Sequence, residues 1–186
     1  VSFEANPYYY GGVPHIEKLK LQVVDDKNKI PSIAAGNIDV SDPSGNPASL
    51  KQAQDAGLET ITIDNLGYGY IGMNADRIPD INVRKGLMHL MNRAPAVQSF
   101  YGDLASVIEY PMSRISWAYP ENAKAIYDFS SVKAMEYFTK AGYKKVEQNG
   151  KTILQKDGVQ LKIEVGIGGS GTMDHPAGPI LTQLKN

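Results

Sequence analysis

One stretch of this chain spells a phosphate cradle. Gly166-Ile167-Gly168-Gly169-Ser170-Gly171 reads G-x-G-x-x-G directly after the strand-like run Leu161 to Gly166. In a dinucleotide fold that spelling turns backbone N–H groups and a helix N-terminus toward a pyrophosphate. The surroundings oppose it here. Pro176 and Pro179 stand where the following helix would have to run, and no acid follows at the distance of about 20 residues that would hold a ribose. Two other readings remain for the run: a flexible glycine loop, or a loop leaving a strand end, where α/β folds place their ligands. The same residues approach a nucleophile elbow, G-x-S-x-G, around Ser170, but Thr172 occupies the second glycine position.

The remaining chemically able side chains are dispersed. His15, His89 and His175 lie far apart, and none has a ligand-type partner one helical turn away. Each reads as a surface or structural histidine. The pair Asp174–His175 supplies two ligands at most, too few for a metal site. Trp117 and Tyr119 sit in a stretch rich in turn residues. They form either one wall of an apolar pocket or a cover over a sheet. Arg84 reads as a solvated or capping residue. For Arg93 a buried ion pair is the equal alternative.

Composition narrows the function classes. The net charge of −1, with no block of like charge, gives no electrostatic case for nucleic acid or an anionic membrane surface. The absence of cysteine removes disulfides, thiolate metal sites and cysteine nucleophiles. No apolar run reaches the roughly 18 residues of a membrane span. Eleven tyrosines against one tryptophan suit a surface that recognises small molecules or peptides, though tyrosine also serves ordinary half-buried packing. Val1-Ser2-Phe3 is neither a leader nor a start, so the chain is expected to be a piece of a longer secreted protein.

The elements that must position these residues alternate between strand and helix patterns. Asn6 to Gly12 is a turn. Strands are expected at His15 to Val24, Ile38 to Val40, Glu59 to Asp64, Tyr68 to Asn74 and Leu161 to Gly166, on period-two alternation or short apolar runs. Helices are expected at Lys27 to Ala35, closed by Gly36, and from Asn46-Pro47 to Gly57. A third helix is capped by Asp80 or Asn82, with Val83, Leu87, Leu90 and Met91 in one stripe. A fourth runs past Pro95 to Tyr101, with Gly102 as its stop. A fifth, capped by Asp128, puts Ala134, Tyr137, Phe138 and Ala141 on one face. Asn149-Gly150 and Asp157-Gly158 are hairpin turns, and a last helix starts at Ile180. The class is α/β with a mixed sheet flanked by helices.

Several of these segments, in this order, resemble the family-5 extracellular solute-binding proteins, the capture components of ABC importers for peptides, nickel and related solutes. Asn6-Pro7-Tyr8-Tyr9-Tyr10 is similar to the family's Asn-Pro-x-Tyr-Trp, with Tyr10 where Trp is usual. Ala35-Gly36-Asn37-Ile38-Asp39 is similar to its Gly-Glu-Ile-Asp region. Tyr70-Ile71-Gly72-Met73-Asn74, followed by Arg77-Ile78-Pro79-Asp80-Ile81-Asn82-Val83-Arg84, resembles its Asn-ended strand and Val-Arg helix. Asn92-Arg93 stands where the family has Asp-Arg. Pro111-Met112 through Tyr119 resembles its Pro-x-x-x-x-Trp-x-Tyr region, and Tyr127-Asp128 to Ala141-Gly142-Tyr143 the segment ending in Ala-Gly-Tyr. Ile180 to Asn186 resembles the start of the helix that precedes an Ile-Gly-Ile.

The resemblance implies a type II periplasmic-binding-protein-like fold and a partial two-lobe chain. Residues 1–66 would belong to the first lobe and 67–186 to a partial second lobe, with a hinge crossover near 66–74. Gly67, Gly69 and Gly72 are the hinge candidates; plain turn duty is the equal alternative for Gly67. The implied function is capture of a peptide or similar small solute by lobe closure, without catalysis, cofactor or metal, and delivery to an ABC permease. Ligand-binding residues are expected at Tyr70, Trp117, Tyr119, Gly168, Gly169, Ser170 and Thr172. The expected location is the extracellular face of the membrane or the periplasm, with attachment through the permease or a lipid anchor outside this chain. No nucleic-acid partner is expected, and an incomplete lobe is expected to self-associate. The rival reading is a nucleotide-binding α/β enzyme using the Gly166–Gly171 loop.

Overall fold

The structure, a computed structural model, describes residues 1–168 and 177–185. The chain divides into two compact units, Val1–Thr60 and Ile61–Asn186.

In the first unit, β1 (Ser2–Glu4) pairs antiparallel with β2 (Lys18–Lys20), placing Phe3 opposite Leu19. The turn between them is set by Asn6, whose side-chain oxygen accepts from the Tyr8 N–H while its carbonyl accepts from Tyr9. Helix α1 (Asp26–Ala34) ends as its glycine requires: Gly36 has φ +72°, and Asn37 N–H reaches back to the Ser32 carbonyl. Helix α2 (Pro47–Asp55) follows the same grammar. Asn46 accepts from the Ser49 N–H at 2.9 Å, Pro47 fills the first helical position, and Gly57 closes the helix at φ +69°. Lys29 joins Asp26 to Asp42, and the Ser44 N–H donates to Asp26, which fastens the intervening loop to α1. The Ser44 hydrogen bond, with Lys29 adding to it, holds the Asp26 carboxyl below the ordinary range.

The second unit carries the larger core. Helix α3 (Ile81–Leu90) is capped by Asp80, which accepts from the Asn82 N–H. Its stripe is the expected one: Val83, Leu87 and Met91 are buried and Leu90 packs beside them. Helix α4 (Arg93–Tyr101) stops at Gly102, φ +56°, and a short 3-10 turn covers Gly102–Leu104. Helix α5 (Ser131–Lys140) lays Ala134, Phe138 and Ala141 onto α3. Its cap is Ser130, not Asp128: the Ser130 hydroxyl stands at the offset that meets the Lys133 N–H, and Asp128 lies one residue pair too early. Helix α6 (Gly178–Lys185) buries Ile180 in the same cluster, where Ala96 of α4 also lies.

After α5 the chain forms β3 (Lys144–Gln148), β4 (Lys151–Lys156) and β5 (Val159–Gln160), paired antiparallel in that order. Asn149, Gly150, Asp157 and Gly158 all have positive φ, so both expected turns are of the twisted kind that hairpins favour. Leu154, on β4, packs against the helical core.

Five expected strands differ. His15 to Val24 is paired only over Lys18–Lys20, while Ile38 to Val40, Glu59 to Asp64, Tyr68 to Asn74 and Leu161 to Gly166 carry no ladder among the described residues. Alternation prepares a face but does not supply a neighbour: Ile71, Met73 and Leu161 pack against the helical core without a ladder, and Ile61 and Ile63, 79% and 81% exposed, are left uncovered. Leu19, Leu21 and Val23, expected to be half-buried, are exposed for the same reason. The three ladders among the described residues are all antiparallel, so the expected mixed sheet is not seen there.

The contact of α3 with α5 depends on a missing side chain. A Cβ built on Gly86 would stand 2.8 Å from the Phe138 ring, closer than carbon atoms pack. Gly86→Ala should therefore lose stability in urea melts. The gain of about 1 kcal/mol in helix propensity is outweighed by about 1–3 kcal/mol of overpacking. In a Phe138→Leu background the same change should become neutral or stabilising. Equal effects in both backgrounds would refute the close approach.

Candidate functional site

The aromatic residues singled out by sequence fall on two segments of the second unit. Residues 105–130 hold no helix or strand, an unusual length for a structureless connection and one that points to a functional loop. It is nevertheless well ordered locally, as a string of turns. Ser116 donates to the Ser113 carbonyl, Tyr119 to that of Ser116, and Ala123 to that of Pro120. Tyr119 is half-buried: its hydroxyl accepts from the Glu109 N–H, and its ring meets Tyr110 edge-on at 5.8 Å. Trp117 is 97% exposed. It does not cover the sheet, and its indole is presented whole to solvent.

Tyr70 lies on the other segment. It is 81% exposed and tilts against Tyr68 at 6.0 Å. The two segments are joined by one bond, in which the Ser113 hydroxyl donates to the Asn65 carbonyl at 2.9 Å. Gly168 is exposed in irregular backbone. Gly169, Ser170 and Thr172 lie outside the described residues, as do Gly171, Asp174 and His175. Gly67 serves a turn in which Asn65 Oδ1 accepts its N–H; neither it nor Gly69 nor Gly72 has positive φ.

The two arginines take different roles. Arg84 caps the turn ahead of α3 by donating to the Ile78 and Pro79 carbonyls. Arg93 pairs with Glu109 at 3.0 Å, with side chains only 20% and 13% exposed. It also donates to the carbonyls of Ile108 and Tyr127, while Glu109 accepts from the Ile126 N–H. Sequence offered Arg93 as one half of an ion pair but not its partner, which lies 16 residues on in irregular backbone.

His89 is a buried structural histidine. Nδ1 lies 2.8 Å from the Asp128 carbonyl, the ring stacks on Tyr137, and the His89 carbonyl accepts from the Ser130 N–H. Its neighbour Asp128 is held below the ordinary carboxylate range, first by its hydrogen bond to Lys133 and last by the charge of His89. His15 is exposed. Among the described residues no three acidic or histidine side chains gather as a metal site would need, and no helix is long and apolar enough to cross a membrane.

A depressed carboxyl contributes stability above its unfolded-state value and loses it as pH falls through the folded-state value. Lys133→Met should therefore raise the Asp128 titration toward the ordinary range and remove that contribution. A carbon-detected NMR titration of Asp128 measures this; an unmoved midpoint would refute the assignment to Lys133.

Comparison with known proteins places this geometry. Residues 1–183 match the family profile described as bacterial extracellular solute-binding proteins, family 5 Middle. The oligopeptide-binding protein AppA of Bacillus subtilis is 28% identical over 163 residues, covering 85% of this chain and 29% of that protein. A putative ABC transporter peptide-binding protein of Brucella ovis is 30% identical over 152 residues, 78% of this chain and 28% of its own length. The solved structure of AppA in complex with a nonapeptide superposes with a TM-score of 0.65 at 27% identity, over 86% of this chain and 32% of AppA. The chain thus spans less than a third of the length of these relatives. With the profile matched along nearly its whole extent, the chain belongs to the bacterial extracellular solute-binding proteins of family 5, and its fold is that of a periplasmic binding protein.

Proposed function

We propose that this chain is part of the solute-binding component of an ABC importer, working at the extracellular face of the membrane or in the periplasm. Its solute is a peptide or a similar small molecule, gripped between two lobes and handed to a membrane permease. The observation that carries the proposal is the family match over residues 1–183. The naming of relatives as oligopeptide-binding or peptide-binding proteins of ABC transporters supports the peptide assignment. The family is one of binding proteins, so the action is capture and release with no bond made or broken.

The mechanism is selection of a closed state. A solute that contacts both lobes binds the closed form better than the open one and shifts the population toward it. The permease then reads that form. The lobe boundary falls near 66–74, with Gly67, Gly69 and Gly72 able to absorb the backbone rotation. Tyr70, Trp117, Tyr119 and the loop from Gly168 through Gly169 and Ser170 to Thr172 line the solute side. Trp117 is the strongest of these. A large ring held free in water gains most from being covered by a ligand. Peptide backbone hydrogen bonds would give affinity, while loosely fitting wet side-chain pockets tolerate varied sequence.

The test is mass spectrometry of the solute that co-purifies with the full-length protein, followed by titration with peptides of that composition. Trp117→Ala should weaken binding by about 2 kcal/mol, roughly 30-fold. Co-purification of a nucleotide, with no stabilisation by any peptide, would overturn the reading.

A further inference from the structure

We propose that Arg93 and Glu109 form a clasp that closes the neck of the loop 108–127 and holds Trp117 in place before any solute arrives. The binding consequence rests on the function proposed above; the ordering of the loop does not.

Apart from the bond between the Glu109 N–H and the Tyr119 hydroxyl, the backbone hydrogen bonds inside this loop are local. Tyr110 to Met112, Ser113 to Ser116, Ser116 to Tyr119 and Pro120 to Ala123 each close a single turn. The bonds that join its two ends all pass through the clasp. Arg93 Nη1 donates to the Ile108 carbonyl at 3.1 Å, on the way in. Nη2 donates to Glu109 and to the Tyr127 carbonyl at 2.8 Å, on the way out. Glu109 completes the ring by accepting from the Ile126 N–H at 3.1 Å. Arg93 itself stands in the first turn of α4, a rigid base. The planar fork of arginine suits this task, since its separated donors reach a carboxylate and two carbonyls on different stretches of chain at once, whereas the three donors of a lysine radiate from a single nitrogen.

Inside the ring, Glu109 also carries the N–H that meets the Tyr119 hydroxyl, two residues from Trp117. Opening the clasp therefore frees the neck at Ile108, Ile126 and Tyr127 and loosens the inner support of the exposed indole together, while the His89 contacts to Asp128 and Ser130 and the Ser113–Asn65 bond remain. Half-buried partners keep the pair from being screened as a surface ion pair is. Arg93 and Glu109 are positioning residues: they act through the loop and need not touch the solute.

A loop ordered in advance spares its ordering cost on binding, a cost of about 0.5–1.5 kcal/mol for each side chain fixed. Loss of the clasp should weaken peptide binding by roughly threefold to tenfold.

Trp117 is the single tryptophan of these 186 residues, so their fluorescence reports this loop alone, and in the full-length protein the signal is the difference from a Trp117→Phe variant. Time-resolved anisotropy should show the fast rotamer motion of an exposed ring but little slower motion of the loop in the native chain. A clear additional loop component should appear in Glu109→Ala, with the far-ultraviolet circular dichroism unchanged. Glu109→Gln, which keeps acceptor oxygen but loses charge, should lie between the two. Arg93→Lys should resemble Glu109→Ala, and supplies the measurement if that variant does not fold. A role confined to overall packing would lower the melting temperature without a selective change at Trp117. Native-like indole motion in folded Glu109→Ala or Arg93→Lys overturns the clasp. If instead the variants free the indole but a nonapeptide titrated into the full-length protein never affects it, the clasp stands and the binding reading falls.

Discussion

The second unit depends on one contact, the approach of α3 to α5 at Gly86 and Phe138. The aromatic ring occupies the space where any other residue would carry a side chain, so the helices lie close enough for a single buried cluster to form. The segments with Tyr70 and with Trp117 both hang from these two helices. The segment with Tyr70 enters α3, α4 leaves it at Arg93, and the loop with Trp117 returns to the start of α5. His89 fixes that return by tying the end of α3 to Asp128 and Ser130, just ahead of α5.

This arrangement separates rigidity from recognition. The helices bury apolar stripes and are stiff; the aromatic loop has no ladder or helix and takes its shape from turns and a polar neck. The proposed capture of a solute is helped by such a division, because a surface that tolerates varied ligands must be ordered yet not closely fitted.

Much of this was legible in the residues. Asn46, Pro47 and Gly57 framed α2 because caps and stops are local chemistry. The stripe Val83, Leu87, Met91 and the turns Asn149-Gly150 and Asp157-Gly158 were readable for the same reason. The expected strands at Glu59 to Asp64 and Tyr68 to Asn74 failed because pairing is a property of two segments, and alternation describes one. The cap of α5 was misplaced by two residues because Asp128 and Ser130 are both good caps, and only the geometry of the first turn decides. At the site, the turn-rich composition located the loop around Trp117. Its anchoring could not be read, because Glu109, Ile108 and Tyr127 meet Arg93 across separations that no spacing rule encodes.

The first unit buries only two hydrophobic residues deeply, Ile30 and Ala53, while Phe3, Leu19 and Leu21 remain on the surface of a two-stranded ribbon. A ribbon of that size has little to resist thermal opening. Its amide protons should trade with deuterated solvent long before those of α3 and α5, and a protease should nick residues 1–60 first. The chain thus carries a gradient of local persistence along its length, with its most durable part in the paired helices α3 and α5.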